Sequence, residues 1–315
     1  MKLQTTIPLK PSGNPIDYHS RLFLVGSCFV ENIGAKLTYY KFRTTINPFG
    51  ILFHPEAIAR FLELAVSSKQ LFEADLEELQ GRFVSFDAHS ALSASSAAET
   101  TQLLNEALVE TKHQLAEASH IVITLGTSWG YRHLEQDKIV ANCHKIPQKA
   151  FQKELTSVDD IAVTTRRVLS AIAKVNSQAQ VIFTVSPVRH TKDGFVENQR
   201  SKAHLLAGMH QALEVSQHSA YFPSYELMMD ELRDYRFYDR DLIHPNALAV
   251  DYIWERFSSV YFSEETQKTM QKVQEVQQGL AHKAFNPESE AHQKFLKNLE
   301  AKKRALQADF PHVQF

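Results

Sequence analysis

The segment Arg21-Leu-Phe-Leu-Val-Gly26 is a short apolar run that ends at a glycine, and an amphipathic stretch follows it at residues 30–40. This order predicts a buried strand, a tight turn and a helix. Two later runs, Ile121-Val-Ile-Thr-Leu-Gly126 and Gln180-Val-Ile-Phe-Thr-Val-Ser186, have the same apolar character, and helical spacing fills much of the sequence between them. Short strands that alternate with longer helices predict βαβ units, and hence a mainly parallel sheet with helices on both faces.

The rest of the sequence continues this α/β pattern and then departs from it. Residues 219–222 are a short strand candidate, and a helix with apolar residues at helical spacing is expected after Asn246, which can cap it. Beyond Phe262, glutamine, lysine and glutamate dominate. We therefore expect one domain over residues 1–262 and a C-terminal helical extension over residues 263–315, which packs on that domain as two helices.

The composition of the 315-residue chain excludes several classes of protein. Hydrophobic residues make up 43% and charged residues 22%, as in a globular protein with a core. The formal net charge of -2 provides no basic field for phosphates, so we expect no nucleic-acid partner. The two cysteines, Cys28 and Cys143, cannot build a disulfide framework and form no CxxC pair. We therefore expect no metal site, and we also expect no cofactor.

The N-terminal sequence lacks the apolar run of a secretory signal. No window of the chain approaches the roughly 20 apolar residues that a membrane span needs. We therefore expect a soluble protein in the cytoplasm, without a membrane span, and the sequence leaves its oligomeric state open.

The turn Gly26-Ser27-Cys28-Phe29 is the first of three places where reactive or permissive residues are expected at the carboxyl ends of the strands. Ligands of open parallel sheets bind at the carboxyl ends of the strands, and a helix N-terminus there favours a thiolate or an oxyanion. One interpretation of the turn is therefore a catalytic nucleophile. The other is structural, with Ser27 as a helix cap and Cys28 as a small buried apolar residue.

Asp241 and His244, three residues apart at the entry to a late helix, form the second place. The carboxylate can orient the imidazole, which can then act as a general base toward a nucleophile. Because the chain has 15 histidines, a solvated loop with a capping group explains the same spacing.

Gly126-Thr127-Ser128-Trp129-Gly130, at the end of the second apolar run, is the third place. Hydroxyls and free N–H groups in this stretch can stabilise a tetrahedral oxyanion. A polar turn beside a packing tryptophan is the structural alternative.

Together these motifs resemble the GSCFA family, which is named for the same stretch as Gly26-Ser27-Cys28-Phe29. This chain has Val30 where the family name has alanine. The similarity covers most of residues 20–260, and the tail also looks like the C-terminal helices of the family. The other stretches that carry the resemblance are Asn47-Pro-Phe-Gly50, Thr124-Leu-Gly126, Asn142-Cys-His-Lys145, Ser186-Pro-Val-Arg-His190 and Asp241-x-x-His244.

GSCFA proteins are in turn similar to the SGNH, or GDSL-like, hydrolases, and this resemblance implies a three-layer, flavodoxin-like α/β/α fold that cleaves esters. It implies that Asp241 orients His244 as the base and that Gly50 is an oxyanion glycine. The third block departs from the pattern, because Gly126-Thr127-Ser128 has a serine where an asparagine would donate to the oxyanion. Asn142 is a candidate to replace that donor.

The resemblance leaves the nucleophile between two residues. Alignment on Gly26 places Cys28 at the position of the SGNH serine, whereas a turn one residue tighter makes Ser27 the nucleophile and packs Cys28 beneath it. We favour Cys28, because the position in the turn decides which side chain enters the cleft. Two further residues are candidate substrate contacts, and both also suit a solvent-exposed surface: His89 in a loop above the site, and Arg189, which can bind an anionic group.

The sequence thus predicts an SGNH-like hydrolase or acyltransferase that acts on an acyl ester or thioester through a covalent acyl-enzyme. The expected partner is a small-molecule or carbohydrate acyl substrate. The alternative is a non-catalytic ligand-binding module on the same fold, since a fold alone does not establish activity.

Overall fold

A computed structural model describes residues 5–315, which form a central parallel sheet with helices on both faces. The strands in this part of the chain are β1 (Arg21–Gly26), β2 (Arg43–Ile46), β3 (Glu77–Leu79), β4 (Arg82–Val84), β5 (His120–Leu125), β6 (Trp129–His133), β7 (Lys138–Ile139), β8 (Phe151–Leu155), β9 (Gln180–Val185) and β10 (Ser219–Tyr221). The α-helices are α1 (Cys28–Tyr39), α2 (Pro55–Ser67), α3 (Ala97–Glu117), α4 (Val158–Val175), α5 (Phe195–Leu213), α6 (Ser224–Glu226), α7 (Ala247–Tyr261), α8 (Glu264–Ala281) and α9 (Glu290–Asp309). A π-helical turn at Leu227–Glu231 continues α6.

The central sheet has the strand order β2-β1-β5-β9-β10, and all of its strands are parallel. In this flavodoxin-like order, the chain adds one strand on one side of β1 and then continues on the other side. The prediction of an α/β fold with a mainly parallel sheet is confirmed. Because the chain changes direction between β2 and β5, the switch point of the topology lies between β1 and β5. At the carboxyl end of the sheet, this pair of strands aligns Gly26 with Thr124.

The side chains of the central strands divide the core into two layers. Phe23 of β1 and Ile121 of β5 face a cluster that includes α2, α3, α4 and α5. Leu24 and Val122, the next residues along, face the opposite cluster, which includes α1, α7, α8 and α9. Successive strand residues point to opposite faces, so burial of both faces requires the nearly continuous apolar runs seen in the sequence.

The helices of the C-terminal tail belong to the second of these clusters. Met270 and Val273 of α8 and Leu299 of α9 are buried together with Ile33 of α1. At Gly279 of α8, a Cβ would lie 2.5 Å from a methyl carbon of Leu299, so the two tail helices approach each other closely. The tail therefore shares its core with the helix that begins at the Gly26 turn.

Two small antiparallel sheets were not predicted from the sequence. β3 and β4 form a hairpin, and β6 pairs with β7 on one side and β8 on the other. Only residues 126–128 separate β5 from β6, so the second of these sheets begins at the carboxyl edge of the parallel sheet. Its strands therefore border the place where a ligand of this fold is expected.

Candidate functional site

The turn at Gly26 is held by backbone contacts between the two central strands. Gly26 has a φ of 140°, and a Cβ there would lie 2.2 Å from the carbonyl oxygen of Thr124. The Gly26 N–H donates to Asn47 Oδ1 at 2.9 Å, and the Ser27 N–H donates to the Thr124 carbonyl at 3.1 Å. Only glycine can come this close to the Thr124 backbone, and the close approach allows α1 to begin directly after β1.

Ser27 and Cys28 differ in how far they reach the surface. Ser27 is fully buried, and within residues 5–315 its hydroxyl has no hydrogen-bond partner. It occupies the N-cap position of α1, as the structural interpretation expected, but its side chain makes no cap hydrogen bond. Cys28 is the first residue of α1 and is partly exposed. Of the two side chains, the thiol is the one open to a ligand.

The surroundings of the Cys28 sulfur have opposing effects on its pKa. Burial raises the pKa of the thiol above its ordinary value, and the charge of Glu31 acts in the same direction. The backbone N–H groups of Cys28 and Phe29 and the charge of Lys202 lower it. Because burial dominates, the thiol is protonated at neutral pH, and nucleophilic attack by the sulfur requires a base.

Lys202 of α5 is a candidate functional residue that the sequence analysis missed. It is fully buried, and its Nζ donates to the carbonyl oxygens of Gly126 and Ser186, each at 2.8 Å. These carbonyls follow the adjacent strands β5 and β9, so the ammonium joins two strand ends. Burial lowers the pKa of Lys202 to about 7, while the neighbouring Cys28 acts to raise it.

Asp241 and His244 form a hydrogen-bonded pair on the loop before α7. Asp241 Oδ2 lies 2.6 Å from His244 Nδ1, and Asp241 Oδ1 accepts from the backbone N–H groups of Ile243 and His244. The hydrogen bonds from His244 and Ile243 hold the pKa of Asp241 down at about 2, so the carboxylate is ionised and can orient the ring. Both side chains are about half exposed, and His244 Nε2 makes no hydrogen bond to another described residue.

His190 lies at the same edge of the sheet and interacts electrostatically with two of these groups. Its ring packs edge-on against Phe53, with 5.8 Å between the ring centroids. Its Nε2 is buried without a hydrogen-bond partner in the described part of the chain. Burial, followed by electrostatic interactions with Lys202 and His244, lowers the pKa of His190 to about 3, so the ring is neutral.

The fold brings the Cys28 turn and the Asp241–His244 pair to the same edge of the sheet, but not into direct contact. Among residues 5–315, neither side chain of the turn is hydrogen-bonded to His244. Electrostatic interactions instead link Cys28 to Lys202, Lys202 to His190, and His190 to His244. If Cys28 and His244 act together, a bound substrate or a shift of the exposed loop has to bring them into contact.

Three groups predicted as oxyanion donors are hydrogen-bonded within the protein. Each donates to a main-chain carbonyl: Gly50 N–H to Asn47 at 2.7 Å, Gly126 N–H to Phe53 at 2.8 Å, and Ser128 Oγ to Ser201 at 3.1 Å. Ser128 is also fully buried. These groups can meet a ligand only if their present bonds break, whereas the N–H groups of Cys28 and Phe29 already face the sulfur.

His89 and Asn142 belong to two loops that contact each other. The His89 Cβ lies 2.2 Å from the position that a Cβ of Gly50 would take, so His89 borders the Gly50 turn. Asn142 Oδ1 accepts the His144 N–H at 2.9 Å, and His144 Nε2 lies 2.7 Å from the Ser85 carbonyl. Asn142 therefore holds the conformation of its own loop, and its role as a replacement oxyanion donor stays a prediction.

Arg189 lies beside the exposed part of the site. Its N–H donates to the Ile243 carbonyl at 3.1 Å, which ties the segment after β9 to the loop that carries His244. Its guanidinium lies over the rings of Phe195, at 5.0 Å, and Tyr238, at 5.5 Å. The predicted substrate contact at Arg189 is therefore adjacent to the predicted base.

Both cysteines are free thiols. The described residues contain no group of three or more histidine, cysteine, aspartate or glutamate side chains that could hold a metal ion. Within the same part of the chain, no helix has the combined length and apolar character that crossing a bilayer requires.

Comparison with known protein families covers most of the sequence. Residues 21–257 match the model of the GSCFA family, and residues 273–315 match the model described as GSCFA domain protein, C-terminal domain. No curated protein matches the chain. The first match spans well over half of the 315 residues and includes both the Cys28 turn and the Asp241–His244 pair. The resemblance to the GSCFA family is confirmed, and the chain belongs to that family.

Proposed function

We propose that this protein is an SGNH-like hydrolase or acyltransferase that acts on an acyl ester or thioester through a covalent acyl-enzyme at Cys28. The observation that carries the proposal is the position of the Cys28 thiol, partly exposed at the start of α1 and next to the switch point of the sheet. Open parallel sheets bind their ligands at this crevice. The proposed substrate is an acylated small molecule or carbohydrate.

Accessibility supports Cys28 rather than Ser27 as the nucleophile. The Ser27 hydroxyl is enclosed, and its exposure would require the turn to move away from Thr124, to which the Ser27 N–H is bonded. The thiol needs no such change. The N–H groups of Cys28 and Phe29, at the N-terminus of a helix, favour negative charge on the sulfur and on an oxyanion formed next to it.

His244 is the base in this proposal. Asp241 holds its Nδ1 at 2.6 Å, which leaves Nε2 as the acceptor for the thiol proton. The loop is exposed and can close on a substrate, and catalytic hydrogen bonds often tighten only in the substrate complex. The positive charge on Lys202 lowers the pKa of the thiol and so stabilises the thiolate.

The proposed reaction has two steps. In the first, the Cys28 sulfur attacks the carbonyl carbon, its proton passes to His244 Nε2, and the leaving alcohol or thiol departs with that proton. In the second, water or a sugar hydroxyl attacks the acyl group and gives its proton to His244, which returns it to the sulfur. Water as acceptor makes an esterase, and a sugar hydroxyl makes a transferase.

A non-catalytic ligand-binding module is the second candidate function. It is favoured by the hydrogen bonds that occupy Gly50, Gly126 and Ser128, because a donor engaged in the resting protein cannot receive an oxyanion without first losing its partner. The same fold without an oxyanion site would still bind a ligand at the carboxyl edge of the sheet.

Intact-mass measurement separates the two candidates. Wild type, Cys28→Ala and Ser27→Ala are incubated with p-nitrophenyl acetate and with an acetyl thioester. We expect one acetyl group on wild type and on Ser27→Ala, and none on Cys28→Ala. Cys143→Ala removes the other partly exposed free thiol and is the matched control, which should still be acetylated.

Two results would contradict the proposal in different ways. Loss of the adduct only in Ser27→Ala would assign the nucleophile to the serine. Absence of an adduct on every form, with both probes, would favour the ligand-binding module. Transfer of the acyl group to an added sugar, compared with its release in water, then distinguishes transferase from esterase.

We further propose that the protein works in the cytoplasm. A reducing compartment keeps a partly exposed thiol such as Cys28 from forming a disulfide. Cell fractionation tests this, and recovery of the protein outside the cytoplasm would contradict it.

A further inference from the structure

A cavity of about 360 Å³ opens beside the loop that carries His244, between α5 and the segment before α7. It combines aromatic rings with polar side chains, and its lining includes Arg189, Phe195, Gln199, Tyr225, Asp234 and Tyr238. Its volume falls at the lower end of the range for small-molecule sites. The two-step reaction proposed above uses none of these side chains.

Arg189 in this cavity is a stacked cation without an acidic partner. Its guanidinium carbon lies 5.0 Å from the ring centre of Phe195, 5.5 Å from that of Tyr238 and 6.0 Å from that of Tyr235. No carboxylate among residues 5–315 forms an ion pair with it. The rings restrict the position of the guanidinium, one of its N–H groups is bonded to the Tyr238 hydroxyl, and its other N–H groups can donate to a ligand. A guanidinium held in this way suits bidentate binding of a carboxylate or a phosphate.

The other charged residues of the cavity leave positive charge in excess. Arg233 and Asp234 also line it. Asp234 Oδ1 already accepts the Arg236 N–H at 2.8 Å, as the cap of a short 3-10 helix. The lining therefore carries two guanidinium groups and one carboxylate, a net charge of one positive unit that favours an anion.

Two contacts connect the cavity with the candidate catalytic groups. The Arg189 N–H donates to the carbonyl of Ile243, the residue before His244. On another wall, the ring of Tyr225 lies 5.6 Å from the Nζ of Lys202, which joins the strand ends beside Cys28. Arg189 thus contacts the residue next to the proposed base, and Tyr225 contacts the lysine that joins the strand ends. A ligand in the cavity lies close to both parts of the candidate catalytic site.

We propose that this cavity is a substrate subsite in which Arg189 binds an oxyanion group, a carboxylate or a phosphate, on the part of the acyl substrate that does not react. This inference rests on the proposed function and names its substrate class, which is anionic acyl esters or thioesters. The exposed rings of Phe195 and Tyr235 contact the apolar part of such a ligand, while the guanidinium sets its direction.

Calorimetric titration of Cys28→Ala with glutarate and with inorganic phosphate tests the subsite without any need for catalysis. We expect at least one anion to bind, and Arg189→Ala in the same background to weaken its binding roughly 10- to 100-fold. Arg189→Lys keeps the positive charge but loses the paired N–H donors that bind a carboxylate in a bidentate way. It should therefore restore phosphate binding better than glutarate binding. Arg236→Ala is the matched control, because Arg236 stacks on Phe237 at 5.0 Å and does not line this cavity.

The outcomes distinguish this inference from the acyl-enzyme proposal. Tighter binding of glutarate would identify carboxylate-bearing substrates, and tighter binding of phosphate would identify phosphorylated ones. Failure of both anions to bind, or equal binding to Arg189→Ala and its parent, would overturn the subsite even if acyl probes modify Cys28. Anion binding that depends on Arg189, in a protein that no acyl probe modifies, would keep the anion site and overturn only the acyl chemistry.

Discussion

The two halves of the candidate site are built in opposite ways. The Cys28 turn is formed by the ends of buried central strands, with a glycine pressed against β5 and Lys202 enclosed behind it. The Asp241–His244 pair lies on a loop, with 46% and 49% of the two side chains exposed. Its bonds are mostly local, because Asp241 accepts from its own loop and the Asp239 N–H donates to the His244 carbonyl.

Substitutions in the two halves are therefore expected to have different effects on stability and activity. The buried half is part of the core, so its residues contribute to folding as well as to any chemistry. The exposed half opens locally at little cost and can move toward a ligand. The absence of a direct His244–Cys28 hydrogen bond among the described residues is consistent with a site that the substrate completes.

The largest effect is expected at Gly26. Gly26→Ala places a Cβ about 2.2 Å from the Thr124 carbonyl at a φ of 140°, so either the strand pair or the turn must shift. We expect the free energy of unfolding to fall by about 5 kcal/mol, as strain and overpacking combine. Urea denaturation measures this. Gly13→Ala is the control, because a Cβ at Gly13 meets nothing within 4 Å. Equal midpoints for both variants would show that the buried half is not rigid.

The second-largest effect is expected at His244, where a substitution should change activity but not stability. His244→Ala should lower the rate of Cys28 acylation about a thousandfold, which corresponds to about 4 kcal/mol in activation free energy. The free energy of unfolding should change by less than about 1 kcal/mol, because the ring is half exposed. Stopped-flow acylation and urea denaturation are measured on the same samples.

The control for this variant is His113→Ala, which removes another exposed histidine, on α3. It should leave the acylation rate unchanged. An unchanged rate in His244→Ala would remove the exposed half from the chemistry and leave a different group as the base.

The smallest of the three effects concerns Lys202 and pH. Burial lowers the pKa of the folded-state ammonium from 10.5 to about 7, so between these values the unfolded chain binds more protons than the folded one. Stability attributable to Lys202 therefore rises with pH through that window. Between about pH 6 and about pH 9, wild type should gain about 2 to 3 kcal/mol relative to Lys202→Met.

Urea denaturation of both proteins across that pH range measures the difference. Lys302→Met is the matched control, since Lys302 is exposed and ion-paired with Glu275 on the surface. Parallel stability curves for wild type and Lys202→Met would mean that the buried ammonium does not titrate in this range.

The central strands could be predicted from the sequence because burial on both faces makes them nearly continuous apolar runs. β6 could not be predicted in this way, because it is a short strand of a small sheet in which Trp129, Tyr131 and His133 alternate with other residues. Strands of this kind have too little apolar content to stand out from a turn.

The burial of Lys202 could be predicted from the sequence, but its hydrogen bonds could not. It shares the buried face of α5 with Leu205, Met209 and Ala212, so helical spacing alone indicates a lysine in the core. Its bonds to two carbonyls depend on where β5 and β9 end relative to α5, which is tertiary information. The separation of His244 from Cys28 depends in the same way on loop conformations that no local pattern determines.

The burial of the C-terminal helices against α1 affects how the chain acquires its structure during synthesis. Tyr18, just before β1, packs against Phe310 with 4.9 Å between ring centroids, and Val313 is fully buried in the same cluster. While the ribosome is still producing the intervening residues, Tyr18 and the other N-terminal members of this cluster lack these partners. Contacts between such distant parts of a chain slow folding, and an uncovered face promotes association. We therefore expect nascent chains of this protein to be chaperone clients until α9 has emerged.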